Sequence, residues 1–151
     1  MMTNLLLAAV LFNTVTYEGD VVTIESDESQ HGTSARHSEW SGNVILTSDG
    51  YVLSSELLVA VYNDQDQIVK LIATGTPVKV KGPRKNELVV IEGRTIVYDV
   101  TDQIAQSTGD AHYDDGTMKI DAESILYRFV QRQLESMGKN GRRVQSEIRP
   151  Y

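Results

Sequence analysis

Three histidines and a short acidic turn are the side chains of this sequence that suggest metal or proton chemistry. His31, His37 and His112 are scattered, and no two stand four residues apart, the spacing that places two metal ligands on one helix face. The Asp-Asp-Gly run at residues 114–116 lacks the alternating acidic pattern and the closing glutamate of a calcium loop. We therefore expect no metal site and interpret these aspartates as turn residues.

Other catalytic patterns are also missing from the sequence. The chain has no cysteine, and it contains no G-x-S-x-G elbow, phosphate-binding glycine loop or dinucleotide fingerprint. Its carboxylates are numerous, but no spacing among them predicts an acid and base pair with opposed pKa values. The sequence therefore favours a binding or structural protein over an enzyme, and it predicts no cofactor.

The charge distribution bears on the choice of partner. With 21 acidic and 14 basic residues the formal net charge is −7, whereas nucleic-acid binding requires a basic surface. We expect no nucleic-acid partner. Eight of the 14 basic residues nevertheless fall within two short stretches, residues 79–85 and 139–149. These are either solvated hairpin tips whose charges protect strand edges, or a local anion site on an acidic protein.

The segments that carry these residues repeat along the chain. A strand beginning at Gly42 is followed by a hairpin to Leu53, and the same plan returns at Gly109 and Ile120, an offset of 67 residues in both cases. Within each unit the apolar residues stand two apart, which is the period of a strand and not of a helix. The repeat therefore predicts an all-β, antiparallel architecture.

Turn signals divide this pattern into hairpins. Asp-Gly and Asn-Gly pairs favour tight hairpin turns, and polar stretches with Gly, Pro or Asn favour looser ones. The predicted turns are residues 48–50, 115–116 and 140–141, with polar, turn-like stretches at 26–32, 63–67 and 82–86. No linker divides the chain, so we expect residues 18–151 to form a single domain.

Two segments allow more than one interpretation. Residues 122–137 have apolar side chains at near-helical spacing, but their alignment with the first unit favours two strands. Residues 1–17 form an apolar start whose run at 5–12 is far shorter than the roughly 20 residues needed to span a bilayer. The length of that run suits a secretory signal peptide, and the alternatives are an additional N-terminal strand or a misplaced start codon.

Five short motifs, in a fixed order along the chain, carry a family resemblance. They are Val22-Thr23-Ile24-Glu25-Ser26-Asp27, Gly42-Asn43-Val44, Thr74-Gly75-Thr76-Pro77, the strand from Glu92-Gly93 to Tyr98-Asp99, and Gly109-Asp110-Ala111. In order and spacing they resemble the LptA/OstA family of periplasmic lipopolysaccharide-transport proteins, over residues 21–150.

The resemblance implies a fold, a function and a set of partners. The fold would be an open, V-shaped antiparallel β-jelly roll, also called a β-taco. The protein would bind lipopolysaccharide in the periplasm, hold its acyl chains inside the fold, and exchange it with inner-membrane LptC-like and outer-membrane LptD-like jelly roll domains. Because an open jelly roll exposes strand edges at both ends, we also expect head-to-tail homo-oligomers.

Nine inward-facing positions are the predicted lipid contacts. The resemblance implies seven of them, and the two-residue alternation adds Leu46 and Leu58. The seven are Val22, Ile24, Tyr62, Ile68, Val80, Tyr98 and Val100.

Other functions remain open at this point. The chain could be an LptC-like partner or a translocon-derived domain with the same fold. It could also be a structural β-sandwich scaffold without a lipid ligand, in which the inward residues are simply core. A carbohydrate hydrolase built on a jelly roll ranks last, because the sequence offers no paired acids.

Overall fold

The structure is a computed structural model composed of β-strands. It describes residues 14–17, 20–32, 36–48, 50–84 and 87–149, with the backbone alone at 14–17, 20–22, 84 and 87. The strands are β1 (Thr14–Tyr17), β2 (Asp20–Glu25), β3 (Glu28–Gly32), β4 (His37–Ser48), β5 (Tyr51–Tyr62), β6 (Ile68–Arg84), β7 (Glu87–Asp99), β8 (Ile104–Asp114), β9 (Met118–Arg128), β10 (Gln133–Met137) and β11 (Gln145–Ile148). Within these ranges there is no helix long and apolar enough to cross a membrane.

All eleven strands belong to one antiparallel sheet. Neighbours follow the order β1-β2-β4-β5-β6-β7-β8-β9-β10. Strand β4 pairs with β2 near its C-terminal end and with β3 near its N-terminal end. Strand β9 is shared in the same way by β10 and β11. Among the described strands the order does not close on itself, so the sheet is open.

A line of β-bulges crosses the sheet from β4 to β9. The pairing register shifts between Ser41 and Val44 in the β4–β5 pair, and a shift recurs in every following pair up to Thr108 and Ala111 in the β8–β9 pair. Bulges bend strands and increase their twist. Because these five are adjacent, they form a continuous crease that divides the sheet into two leaves.

Glycine is required where the crease crosses β4 and β8. Gly42 and Gly109 have φ angles of +79° and +84°, and the residues that follow them, Asn43 and Asp110, both have φ of +48°. These values lie in the left-handed region, which glycine enters readily and Asn and Asp tolerate better than other residues. The repeated Gly-Asn and Gly-Asp pairs of the sequence are thus the residues that shape the crease.

Each leaf is defined by the residues that it carries on the inner face of the sheet. The first leaf carries Leu46, Leu53, Val80, Ile91, Tyr113 and Ile120, and the second leaf carries Trp40, Leu58, Ala73, Ile96, Tyr98 and Tyr127. The main core joins both leaves at the crease, and Trp40, Val44, Leu58 and Val78 are fully buried there. Burial of such side chains stabilises the fold by about 1.5–3 kcal/mol each.

Most of the predicted elements are confirmed. Residues 122–137 comprise the end of β9, a turn at 129–132 and the whole of β10, which are two strands and not a helix. Gly50, Gly116 and Gly141 have positive φ angles in their turns, as the Asp-Gly and Asn-Gly pairs predict. The apolar run at residues 5–12 lies outside the described residues, and β1, which follows it, pairs with β2.

Two turn predictions are wrong. Residues 28–32 form β3, an exposed strand at the sheet edge whose polar side chains need no buried face. Residues 82–84 continue β6, which runs from Ile68 to Arg84 through the register shift between Thr74 and Val78. In both places backbone pairing with a neighbouring strand outweighs the local turn preference.

Candidate functional site

The crease turns the inner face of the sheet into a groove. Tyr113 lies opposite Ile120 on β9, and Tyr127 lies seven residues further along that strand. In a straight strand seven residues span about 23 Å, yet the rings of Tyr113 and Tyr127 stack with centroids 6.5 Å apart and planes inclined by 19°. The strand therefore folds back at the crease, and the two leaves face each other.

Side chains line the inside of each leaf in rows that run across the strands. Directly opposed residues on neighbouring strands touch, which is the unit of packing in a sheet. The row of the first leaf is Ile24, Leu46, Leu53, Val80, Ile91, Tyr113 and Ile120. The row of the second leaf is Ser38, Ala60, Leu71, Tyr98, Ala105, Tyr127 and Leu134.

The groove has a buried floor and partly exposed walls. Residues next to the crease, such as Val44 and Leu58, have no exposed surface and form the floor. Six apolar side chains are only partly buried and pack against this floor. Each lies two residues further from the crease along its strand. They are Leu46, Leu53, Leu71, Val80, Ile91 and Tyr98. The walls thus keep part of their apolar surface exposed.

Hydroxyl groups lie among the apolar side chains of the inner face. The Ser38 and Tyr62 hydroxyls share a buried hydrogen bond of 2.6 Å. Burial raises the pKa of Tyr62 even though the Ser38 hydrogen bond lowers it. Burial, and after it the Asp99 carboxylate, raises the pKa of Tyr98. Both phenols therefore stay uncharged at neutral pH, as an apolar groove requires.

No metal site is found in the described part of the chain. It holds no group of three or more His, Asp or Glu side chains placed to bind an ion. His31 hydrogen-bonds Ser38 at 3.0 Å, His37 lies 3.3 Å from Glu39, and His112 pairs with Asp121. The histidines thus make separate pair contacts along the strands.

Eight of the nine predicted contact residues lie in one apolar cluster. Ile24, Leu58, Tyr62, Ile68 and Val100 are buried members of that cluster, and Leu46, Val80 and Tyr98 are its partly buried members. Val22 lies in β2 opposite Ser48, and its side chain is outside the described residues. Eight of the predicted residues thus share one apolar cluster, and lipid contact at all nine positions stays a prediction.

The structure adds inner-face residues that were not among the predicted contacts. Leu53, Leu71 and Ile91 complete the partly buried set, and Tyr113 and Tyr127 join the leaves. Leu53 and Ile91 each lie directly opposite Val80, which was predicted. Extending the two-residue alternation across the paired strands would have found them.

The two basic stretches contain local ion pairs. Lys79 lies 3.6 Å from Glu92 on the outer face, and Arg149 lies 3.7 Å from Glu147. Arg142 pairs with Asp110 at the crease. Such partners favour the interpretation of the stretches as solvated surface over an anion site.

Comparison with known proteins agrees with this architecture. A family model described as "LptA/(LptD N-terminal domain) LPS transport protein" matches residues 23–133. The crystal structure of LptH from Pseudomonas aeruginosa, described as the LptA-homologous periplasmic component of the lipopolysaccharide transport device, matches with a TM-score of 0.76. The match covers 85% of this chain and 95% of that chain at 14% sequence identity. It confirms the predicted open jelly roll fold.

A comparison with curated proteins gave no significant match.

Proposed function

Because this chain belongs to the LptA/LptD N-terminal-domain family of lipopolysaccharide transport proteins, we propose that it carries lipopolysaccharide across the periplasm toward the outer membrane. The acyl chains lie in the groove between the two leaves. They contact the partly buried wall residues Leu46, Val80 and Tyr98, together with Leu53, Leu71 and Ile91. The sugar head group stays outside, in water.

The observation that carries this proposal is the set of partly exposed apolar walls inside the crease. Exposing one acyl chain of about twelve carbons to water costs on the order of 10 kcal/mol at ~0.8 kcal/mol per methylene. A carrier must therefore offer apolar surface that the ligand itself covers. The groove walls offer such surface. The predicted contacts Ile24, Leu58 and Ile68 have almost no exposed surface and support the walls from below.

The partners proposed for this carrier meet it at the two ends of the sheet. Strands β1 and β3 lie at one end, and β10 and β11 at the other. Edge strands offer unpaired backbone groups to another sheet. LptC-like and LptD-like jelly roll domains, or further copies of this chain arranged head to tail, would continue the groove in this way.

The charges of the two ends support a head-to-tail arrangement. Residues 20–32 contain four acidic residues and no Lys or Arg, whereas residues 133–149 contain four basic and two acidic residues. Opposite charges across an interface favour contact between the acidic end of one molecule and the basic end of the next, and they disfavour contact between two ends of the same charge. Salt weakens this preference. Light scattering should show association that increases with protein concentration and decreases with added salt.

A pair of matched substitutions tests the groove. Val80 faces inward on β6 and Val90 faces outward on β7, and both are partly buried in the first leaf. Val80→Asn places an amide where an acyl chain must lie, so we expect binding of lipid A to weaken by about tenfold or more. Val90→Asn should bind lipid A as the unchanged protein does. Binding is measured at equilibrium with purified protein, and an ordinary phospholipid serves as the ligand control.

The alternative of a structural scaffold predicts a different result. If the inner face is core and nothing more, lipid A will not bind in a saturable way to the folded, unchanged protein. If Val80→Asn and Val90→Asn are both folded by circular dichroism and bind lipid A equally well, the protein is a lipid carrier, but this groove is not its binding site.

A further inference from the structure

Four aromatic rings form a continuous chain across the groove near its C-terminal end. Tyr98 meets Phe129 edge to face with centroids 5.8 Å apart, and Phe129 meets Tyr127 at 4.6 Å. Tyr127 then stacks on Tyr113 at 6.5 Å. Tyr98 and Tyr127 belong to the second leaf and Tyr113 to the first. The rings therefore span the groove from one leaf to the other.

Local sequence explains how this chain of rings forms. Tyr98 on β7 and Tyr127 on β9 both lie opposite Ala105 on β8. The small alanine side chain leaves space between the two tyrosines. Phe129, two residues after Tyr127, contacts both rings and so completes the set on the second leaf.

The two sides of the stack differ in how firmly they are held. Tyr113 is 3% exposed, and its hydroxyl donates a hydrogen bond of 3.0 Å to Asp115. Asp115 in turn accepts hydrogen bonds from the backbone amides of Thr117 and Met118, at 2.9 and 2.8 Å. Tyr127 is only partly buried, and Phe129 is 40% exposed. Tyr113 is thus held by its burial and its hydrogen bond, whereas Tyr127 and Phe129 on the second leaf keep exposed surface.

The leaves are packed closely at this end. Ala111, Ile120, Ala122 and Ile125 are buried in a second apolar cluster around Tyr113. By contrast, the wall residues of β4 to β7 keep exposed surface. An acyl chain lying between β4 and β7 therefore meets the Tyr113–Tyr127 stack before it reaches the end formed by β10 and β11.

We propose that the Tyr113–Tyr127 stack is a gate that separates the lipid-holding part of the groove from its C-terminal end. This inference rests on the proposed function, because it concerns the path of the bound lipid. Lipid passes that end only when the ring of Tyr127 moves away from Tyr113. An acyl chain can displace it, because contacts between two rings are then replaced by contacts between ring and methylene groups.

A cross-link between the leaves tests the gate. The chain has no cysteine, so Tyr113→Cys with Tyr127→Cys introduces a unique pair that a short thiol-reactive cross-linker can join. Fluorescently labelled lipid A is loaded to equal occupancy on a donor population, which is mixed with an unloaded, tagged acceptor population. Transfer is followed by separating the two. The cross-linked protein is tested once as donor and once as acceptor, against the unchanged protein.

The gate predicts an effect in one role only. If lipid moves along the groove in one direction, it passes the C-terminal end of the groove in one step only. That step is either its departure from the donor protein or its entry into the acceptor protein. The cross-link should therefore slow transfer by about tenfold or more in one of these roles and leave the other unchanged. Equal rates in both roles would overturn the proposal, and so would equal slowing in both, because that would indicate damage to the whole groove.

Two controls separate the gate from other effects. Val97 and Gln106 lie opposite each other on the outer face, so Val97→Cys with Gln106→Cys receives the same cross-linker without joining the leaves. Tyr127→Ala removes one ring and should speed transfer severalfold, whereas Tyr127→Phe keeps the ring and should not. If the unchanged protein fails to bind lipid A, the proposed function itself is rejected. If it binds and neither the cross-link nor Tyr127→Ala changes transfer, the gate alone is rejected.

Discussion

The crease crosses β4 and β8 through two copies of one motif, and the copies differ in charge. Gly42 and Asn43 in the first copy correspond to Gly109 and Asp110 in the second, 67 residues later. Their φ angles agree within 5° for each pair of equivalent residues. The backbone of the crease is therefore the same in both halves of the repeat.

The side chains that cover the two copies are also equivalent in position. Asp27 accepts a hydrogen bond from Asn43 at 3.1 Å, and Arg94, 67 residues after Asp27, donates one to Asp110 at 2.9 Å. In the first copy the acidic residue covers the glycine, whereas in the second copy the acidic residue follows the glycine in sequence. A hydrogen-bonded polar pair that includes one carboxylate therefore lies at the glycine in both copies.

Among the described residues, the second copy alone holds a third partner. Asp110 also pairs with Arg142, which lies in the segment between β10 and β11. Two hydrogen bonds between Lys139 and Arg142, of 3.1 and 3.0 Å, close this segment into a tight hairpin. In the first copy the corresponding sheet edge has only the short Ser26-Asp27 break between β2 and β3. The second copy therefore ties a terminal hairpin to the crease.

The largest effect should come from breaking the backbone of the motif. Gly42→Ala places a Cβ 2.5 Å from the Asp27 carboxylate at a φ of +79°, so we expect a loss of about 1–3 kcal/mol in the free energy of unfolding. Gly109→Ala meets Arg94 at 3.1 Å and should lose less. Urea unfolding measures both.

Gly141 provides the matched control for these two substitutions. Its φ is +83°, and no described atom lies within 4 Å of a Cβ built there. Gly141→Ala should therefore show the cost of the backbone conformation alone. A loss for Gly42→Ala no larger than that for Gly141→Ala would show that the contact with Asp27 adds nothing.

An intermediate and local effect should follow from breaking the pair between Asp110 and Arg142. Arg142 holds the pKa of the Asp110 carboxyl below its ordinary value. A carboxyl whose pKa is lowered on folding stabilises the folded state above its unfolded pKa, and this stabilisation is lost as pH falls through the lowered value. Protection of the Arg142 amide against hydrogen exchange should therefore persist at neutral pH and decrease below about pH 4. Asp110→Asn should show reduced protection at neutral pH and no such step.

A neighbouring carboxyl serves as the control. Asp114 pairs with Lys119 at 3.9 Å and not with Arg142, so Asp114→Asn should leave the protection of Arg142 unchanged. If Asp110→Asn exchanges at the same rate as the unchanged protein, the hairpin is held by its backbone alone and the third partner has no anchoring role.

The comparison also shows what the sequence could predict. The repeat, the glycine turns and the two-residue alternation were enough to predict most strands, the hairpins and part of the set of side chains on the inner face. The alternation shows on which face of the sheet a side chain lies, but it does not show how deeply that side chain is buried. Leu58 and Ile68 were therefore grouped with Val80, although only Val80 keeps exposed surface. The depth depends on the crease, which arises from bulges aligned across six strands.

Contacts between the leaves were out of reach of the sequence for the same reason. Tyr113 and Tyr127 stand far apart along the strand and come together only because the strand bends. The edge strand β3 was missed for a different reason, since its side chains are exposed and carry no apolar pattern. Both features depend on partners that are distant in sequence.

The smallest effect should come from exchanging the charges of the two copies. Asp27→Arg together with Asn43→Asp gives the first copy the pair found in the second. Both positions are exposed, so the free energy of unfolding should change by less than about 0.5 kcal/mol. Asp27→Ala is the informative companion, because it leaves Gly42 and Asn43 without the covering side chain and should be less stable than the exchanged protein. A double variant as unstable as Asp27→Ala would show that the two copies are not interchangeable, and that each half of the repeat fixes its own charge.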